Sequence, residues 1–231
     1  MTIGATETLS SDNITNHGTI TQTTTGVVTA SGTFLAVNNG TFNGGSGAIN
    51  LGSLNLSSCN CNFTSTSGTL TVGSISRDSI EDSPQFTHNS GTVNLNGNIS
   101  DGLDVTYTFY NLNTSGSVSA LYTSINVVNN FTISSGTFTA PGAAYNITIG
   151  GDFTDNGTFT HNNGTVVFNN SALTSEIDGN STVFYNLTST TANKTIKFKE
   201  GETIQVNGLL TLTGSAGNNI ILDSIDGSGQ W

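Results

Sequence analysis

The chain holds two cysteines, two prolines, one methionine and one tryptophan among 231 residues. So few cysteines cannot frame a disulfide-stapled scaffold or a multi-Cys zinc module. Charged residues make up only 8% of the chain, unlike disordered segments, which are rich in Pro, Glu and Lys. Four cations (Arg77, Lys194, Lys197 and Lys199) face fifteen acidic residues for a net charge of −11. The positive footprint that phosphate neutralisation needs is missing, which excludes nucleic acid as a partner. No apolar run approaches the ~18 residues of a spanning helix, so no membrane span is expected in this segment. The opening Met1-Thr-Ile-Gly-Ala-Thr-Glu7 lacks the basic and apolar regions of an export signal. Helix-sustaining Leu, Glu, Lys and Arg are scarce as well, which excludes the helical classes.

What is present is small and polar. Thr (39), Ser (28), Asn (30) and Gly (28) total 125 residues, and the apolar residues arrive at short, regular intervals. Thr, Val, Ile and Phe favour a pleated, half-buried backbone, so the chain is expected to be all-β with a thin core. The composition is that of exported surface proteins, yet no export signal is visible. Residues 1–231 are therefore expected to be a single β-solenoid segment, one piece of a longer chain. The strand-like Ile220-Ile-Leu222, the turn at Asp226-Gly-Ser-Gly229 and the stop at Trp231 support that expectation.

Self-similarity points to a coil. Gly-Thr-apolar occurs eight times, beginning at Gly18, Gly32, Gly40, Gly68, Gly91, Gly136, Gly157 and Gly164. Phe86-Thr-His-Asn-Ser-Gly-Thr-Val93 recurs as Phe159-Thr-His-Asn-Asn-Gly-Thr-Val166, and 159 − 86 = 73. Phe109-Tyr-Asn-Leu112 recurs at Phe184, and 184 − 109 = 75. A shorter period relates Asn130-Phe-Thr and Gly136-Thr-Phe to Asp152-Phe-Thr and Gly157-Thr-Phe, at offsets of 22 and 21. A 73-residue block then reads as three rungs, since 73/3 ≈ 24. Periods of this size broken by Asn and Gly belong to β-solenoids. Within a rung, Ile147 and Ile149, Val166 and Phe168, Ile196 and Phe198, Ile204 and Val206, and Leu210 and Leu212 place apolar side chains two apart, the period of a strand with one face inside. An antiparallel sandwich is the competing architecture, but it has no rung-length repeat. The expected fold is a right-handed parallel β-helix with rungs of about 22–24 residues, stacked at ~4.8 Å, with a loop excursion over 76–85.

Three passages carry a resemblance: Ile14-Thr-Asn-His-Gly-Thr-Ile20, Gly151-Asp-Phe-Thr-Asp-Asn-Gly-Thr-Phe-Thr-His-Asn-Asn-Gly-Thr-Val166 and Val183-Phe-Tyr-Asn-Leu-Thr188. They resemble repeats of large bacterial surface proteins with haemagglutinin- or autotransporter-like β-helices. The resemblance implies a cell-surface or secreted location and an adhesive or scaffolding role, and brings no catalytic residues with it.

Chemistry finds few candidates. Polysaccharide lysis or hydrolysis needs converging carboxylates, and the carboxylates in question are Asp78, Glu81 and Asp82; Asp152 and Asp155; and Asp223 and Asp226. The Arg77–Pro84 stretch is expected to be a solvated loop, and Asp223–Asp226 lacks a calcium-loop spacing. Cys59 and Cys61 are expected to be free or packed thiols. His17, His88 and His161 are expected to be turn residues, the last two equivalent and three rungs apart. Lys194, Lys197 and Lys199 sit in one short segment, where alternation puts Ile196 and Phe198 on one face and Lys197 and Lys199 on the other, read as the solvated face of one strand. Thr-x-Thr at Thr19, Thr69, Thr137, Thr158 and Thr211 is too irregular for an ice-binding ladder. No catalytic, cofactor-binding or metal residue is assigned, and no cofactor is expected. The expected role is a non-catalytic stalk whose partners are glycans, neighbouring cell surfaces and further repeats of the same chain. A carbohydrate-binding or polysaccharide-degrading β-helix is the alternative, and an ice-binding solenoid the third.

Overall fold

The computed structural model describes residues 1–56, 60–77, 85–101, 105–179 and 181–227. Among them there is no helix, and strands succeed one another in short steps. The first turns run β1 (Thr2–Ile3), β2 (Thr8–Ser11), β3 (Ile14–Asn16), β4 (Thr19–Gln22), β5 (Val27–Ala36), β6 (Thr41–Asn43) and β7 (Ile49–Asn55). There follow β8 (Asn62–Thr64), β9 (Thr69–Val72), β10 (Ile75–Arg77), β11 (Gln85–Thr87), β12 (Thr92–Leu95) and β13 (Ile99–Asp101). The middle holds β14 (Thr106–Phe109), β15 (Asn111–Thr114), β16 (Ser117–Ser119), β17 (Ser124–Val127), β18 (Phe131–Ile133) and β19 (Thr137–Thr139). Next come β20 (Asn146–Ile149), β21 (Phe153–Asp155), β22 (Thr158–Thr160), β23 (Thr165–Phe168), β24 (Ser175–Gly179) and β25 (Val183–Phe184). The last are β26 (Asn186–Ser189), β27 (Thr195–Phe198), β28 (Gln205–Val206), β29 (Leu210–Leu212) and β30 (Ile221–Ser224).

Parallel pairing coils these strands into a three-faced β-solenoid. The first face stacks β1-β4-β6-β8-β11 and then β14-β17-β20-β23-β26-β29, the two sheets meeting where Phe86 packs 5.3 Å from Phe109. The second face runs from β2 through β5, β7, β9, β12, β15, β18, β21, β24 and β27 to β30. The third takes β3, the C-terminal halves of β5 and β7, β10 and β13, then β16-β19-β22 and β25-β28. Register steps range from 18 residues (Tyr107 to Ile125) to 26 (Thr195 to Ile221), a wider span than 22–24. β10 carries the ladder as far as Arg77 and β11 resumes it at Gln85; the rest of the expected excursion, 78–84, lies outside the described residues.

The Gly-Thr-apolar motif is the corner and entry of a strand. Its apolar residue is buried in all eight copies: Ile20, Phe34, Phe42, Leu70, Val93, Phe138, Phe159 and Val166. Strand alternation then turns the preceding threonine outward, and in every copy but the first, Gly18, the glycine lies where the previous turn passes close. At Gly136, φ is +73° and a Cβ would sit 2.1 Å from the Gly116 carbonyl oxygen, so any larger residue collides. Inside, like stacks on like. Phe42 and Phe63 lie parallel at 4.8 Å, and Phe86 continues the column. Farther along, Phe153 packs against Phe131, Phe159 and Phe184 at 5.5–5.6 Å. Each such pair adds about 0.5–1.5 kcal/mol beyond its buried area.

The coil also corrects the reading of the long repeat. The offset of 22 is one turn, since Phe131 pairs with Phe153, but the block of 73 is not three. It carries β11 to β22 and β14 to β25, eleven strands on. With three strands per turn that is three and two-thirds turns, so β11 on the first face corresponds to β22 on the third. His88 and His161 occupy equivalent places in the local motif but lie on different corners of the rod.

Candidate functional site

Of the carboxylates named from sequence, the structure describes Asp152, Asp155, Asp223 and Asp226, and each has a partner of its own. Asp78, Glu81 and Asp82 lie outside the described residues. Asp152 faces outward and accepts the Glu176 N–H at 3.0 Å, whereas Asp155, three residues on, turns into the corner after β21. There its Oδ1 accepts Gly157 N–H at 3.1 Å, and its Oδ2 accepts Phe159 N–H at 3.2 Å and the Thr182 hydroxyl at 2.9 Å. A carboxylate whose two oxygens accept three fixed donors braces the corner. Asp223 faces Lys197 at 4.0 Å, while Asp226 accepts the Ser224 hydroxyl at 2.9 Å. Among the described residues no three His, Cys, Asp or Glu side chains are grouped to hold a metal ion.

Asp155 does open onto a polar groove of about 470 Å³, with Asn156, Gly157, Asp178, Lys199 and Glu202. Lys199 Nζ lies 2.7 Å from Asp178 and 3.4 Å from Glu202. Its pKa is raised, chiefly by the Asp178 hydrogen bond. Glu202 further accepts the Gly179 N–H at 2.9 Å. The groove thus sets three carboxylates against one ammonium and stays acidic, but each of those carboxylates already has a hydrogen-bond or ion-pair partner.

The basic segment divides. Lys197 and Lys199 do stand opposite buried Ile196 and Phe198, but Lys194 is fully buried and no part of a solvated face. Its ammonium donates to the carbonyls of Gly150 at 3.1 Å, Asn170 at 3.0 Å and Leu173 at 2.7 Å. Burial lowers its pKa to about 8, with the Asp152 carboxylate opposing. It tops a series of buried polar side chains at the corner between the first and second faces, where Gln22, Thr66 and Ser175 also donate to the carbonyls of neighbouring turns, Ala48, Gly47 and Gly151. Period two from Ile196 and Phe198 puts Lys194 on their inward side, but the pattern alone does not show the carbonyls of other turns that make a buried ammonium tolerable there.

Cys61 is disulfide-bonded and not a free thiol; the chain's other cysteine, Cys59, lies outside the described residues. The histidines are turn residues, as expected: His17 Nδ1 meets the Asn38 amide at 3.3 Å, and His88 and His161 each accept an N–H two residues on through Nδ1. Each of the latter pair also rests against a tyrosine of the next turn, His88 on Tyr110 at 5.9 Å and His161 on Tyr185 at 5.5 Å. The two longest sequence matches are therefore the two halves of one contact. Of the Thr-x-Thr runs, those at Thr137 and Thr158 do share a register, below Ser117 and Ser119, so the motif is regular over this short patch.

At the C-terminal end of the coil, Leu209, Leu210, Ile221 and Leu222 are exposed, and an apolar cavity of about 260 Å³ opens between Phe198, Ile204, Val206 and Leu212. Among the described residues no helix is long and apolar enough to cross a membrane. No protein-family model, curated protein or solved structure matches the chain.

Proposed function

We propose that this β-solenoid is a non-catalytic, adhesive stalk segment of a bacterial cell-surface or secreted protein. The observation that carries the reading is the parallel ladder of the second face, which passes from β2 to β30. A hydrogen-bonded stack of this kind resists bending and offers a protease few extended loops. Short Thr, Asn and Ser side chains keep its outside wet, and so few charges leave it tolerant of salt. Partnered carboxylates at Asp155, Asp178 and Glu202 support a mechanical role over hydrolysis. The proposed partners are glycans, neighbouring cell surfaces and further repeats of the same chain, engaged multivalently.

Solution scattering, antibody labelling of intact producing cells and a polysaccharide panel test the proposal together. An elongated particle, surface labelling and no product release are expected. A compact particle, a purely internal location or release of sugar products would overturn it.

A further inference from the structure

A second surface stands out by what it lacks. From β16 onward, the corner leading from the third face to the first is built by residues 120–123, 140–145, 161–164, 185 and 207–209, which contain no Asp, Glu, Lys or Arg in a chain of net charge −11, whereas the same connection earlier in the sequence, 78–84 and 102–105, includes Asp78, Glu81, Asp82 and Asp104. The neighbouring corner holds Asp155, Asp178, Lys199 and Glu202, so charge is segregated around this C-terminal stretch of the rod.

The same corner collects the outward aromatics. The chain has five tyrosines. Tyr107 is buried and Tyr110 lies on the corner between the first and second faces; Tyr122, Tyr145 and Tyr185 are all here. Tyr122 is 63% exposed, two residues before β17. Tyr145 immediately precedes Asn146, which pairs with Thr165, which pairs with Asn186. Tyr145 and Tyr185 therefore hold matched positions two turns apart, about 10 Å at the parallel-strand spacing. Gly164 takes that place in the turn between, where a Cβ would stand 2.3 Å from the Pro141 carbonyl oxygen. His161 fills the gap, its ring centroid 5.5 Å from that of Tyr185. Successive turns thus carry Tyr122, Tyr145, His161 and Tyr185 on one corner, Tyr122 one position out of step with Tyr145 and the other three half-buried, with exposed Asn162 and Asn163 beside them, Asn162 donating its amide to the Ala140 carbonyl at 3.1 Å.

We propose that this corner binds a neutral, extended, β-1,4-linked glycan laid along the rod axis, with its sugar rings against Tyr122, Tyr145, His161 and Tyr185. Flat pyranose rings with equatorial hydroxyls stack C–H faces on aromatic rings while the rim hydroxyls meet amides, and tyrosine supplies such area at low entropic cost. In an extended β-1,4 chain alternate sugars present the same face, so equivalent contacts recur every second sugar, a repeat matched by tyrosines on alternate turns. The absence of charge selects a neutral polymer over an anionic one. The proposal deepens the adhesive reading above and rests on it.

The test is calorimetric titration of the intact protein with cellohexaose, chitohexaose and, for charge, an oligogalacturonate, with solution scattering of the same samples. One or both neutral hexasaccharides are expected to bind and the galacturonate not to. Y145A/Y185A is expected to weaken binding by about tenfold or more, while Y110A, on another corner, leaves it unchanged; circular dichroism checks that each variant keeps its strands. No heat from either neutral hexasaccharide at millimolar concentration, equal binding of the galacturonate, or full binding by the folded double variant each overturns the site. So does concentration-dependent self-association that Y122A abolishes, since a second copy would then be the occupant. An elongated particle without binding removes this site alone; a compact particle removes the stalk.

Discussion

Lys194 makes the coil's stability depend on pH with a sign opposite to that of a salt-bridged lysine. In the folded chain burial brings its pKa from 10.5 to about 8, while the unfolded chain holds the proton until about 10.4. Between those values the unfolded state carries more protons, so stability rises as pH rises. The gap, 10.5 − 8, corresponds to about 3 kcal/mol at ~1.4 kcal/mol per pH unit. That figure is a ceiling, because Asn170 and Leu173 offer their carbonyls from partly buried positions. Lys199 has its pKa moved the other way, chiefly by the Asp178 hydrogen bond, so the Lys194 contribution has to be read as a difference. The perturbation is therefore Lys194→Met, which keeps the chain length and removes the titration. Guanidinium unfolding of both proteins from pH 7 to 10.5 gives the difference. The native protein should gain on the variant by about 2–3 kcal/mol above pH 8, with the difference flat below pH 7.5. A difference that stays flat throughout, or falls with pH, would show that three carbonyls stabilise the ammonium more than burial penalises it, and the desolvation argument would be refuted.

Other substitutions probe the packing. Phe153→Ala empties a site ringed by Phe131, Phe159 and Phe184 and should cost about 3–5 kcal/mol; because turns contact mainly their neighbours, hydrogen exchange should rise around β21 and hardly at β4 to β8, and uniform loss would contradict nearest-neighbour stability. Gly136→Ala and Gly201→Ala share φ of +73°, but only the first drives a Cβ into backbone. The second should therefore cost about 1 kcal/mol and the first clearly more, read as midpoint shifts; equal shifts would mean that backbone conformation alone sets the glycine requirement. Asp155→Ala removes an acceptor shared by Gly157, Phe159 and Thr182 and should lose about 2–3 kcal/mol of stability. A variant as stable as the parent would return Asp155 to the list of functional carboxylates.

The fold was legible wherever period two and the Gly-Thr-apolar triplet operate. That triplet states three requirements at once: no side chain at the corner, an outward β-branched residue, an inward apolar one. Ile147 and Ile149, or Val166 and Phe168, are buried as their spacing requires. Legibility fails at the corners. Lys194 lies just before a strand, where period two points it inward, but the carbonyls that make its burial tolerable belong to turns 21, 24 and 44 residues away in sequence. The tyrosine cluster was equally hidden, because Tyr122, Tyr145 and Tyr185 follow no constant interval: 145 − 122 = 23 and 185 − 145 = 40. Only the register, with its unequal turns, brings them to one edge.

The displaced duplication follows from the same physics. A strand on any of the three faces needs one thing, inward apolar residues two apart between permissive corners, so all three faces accept the same short sequences. Nothing in Phe-Thr-His-Asn-x-Gly-Thr-Val specifies a face; it specifies a strand, a left-handed corner and the next strand. Ser90 at φ +58° and Asn163 at φ +58° mark that corner in both copies. A copied block therefore lands wherever the running count of strands places it, and eleven strands place it one face back. His88 with Tyr110 and His161 with Tyr185 are then the same contact at two azimuths, one on each of two corners. Only the second has tyrosines at its neighbouring turns, so only there does the contact become part of a cluster. In a coil of this kind the strand motif is inherited through the copy, while a surface that spans several turns depends on where the copy comes to rest.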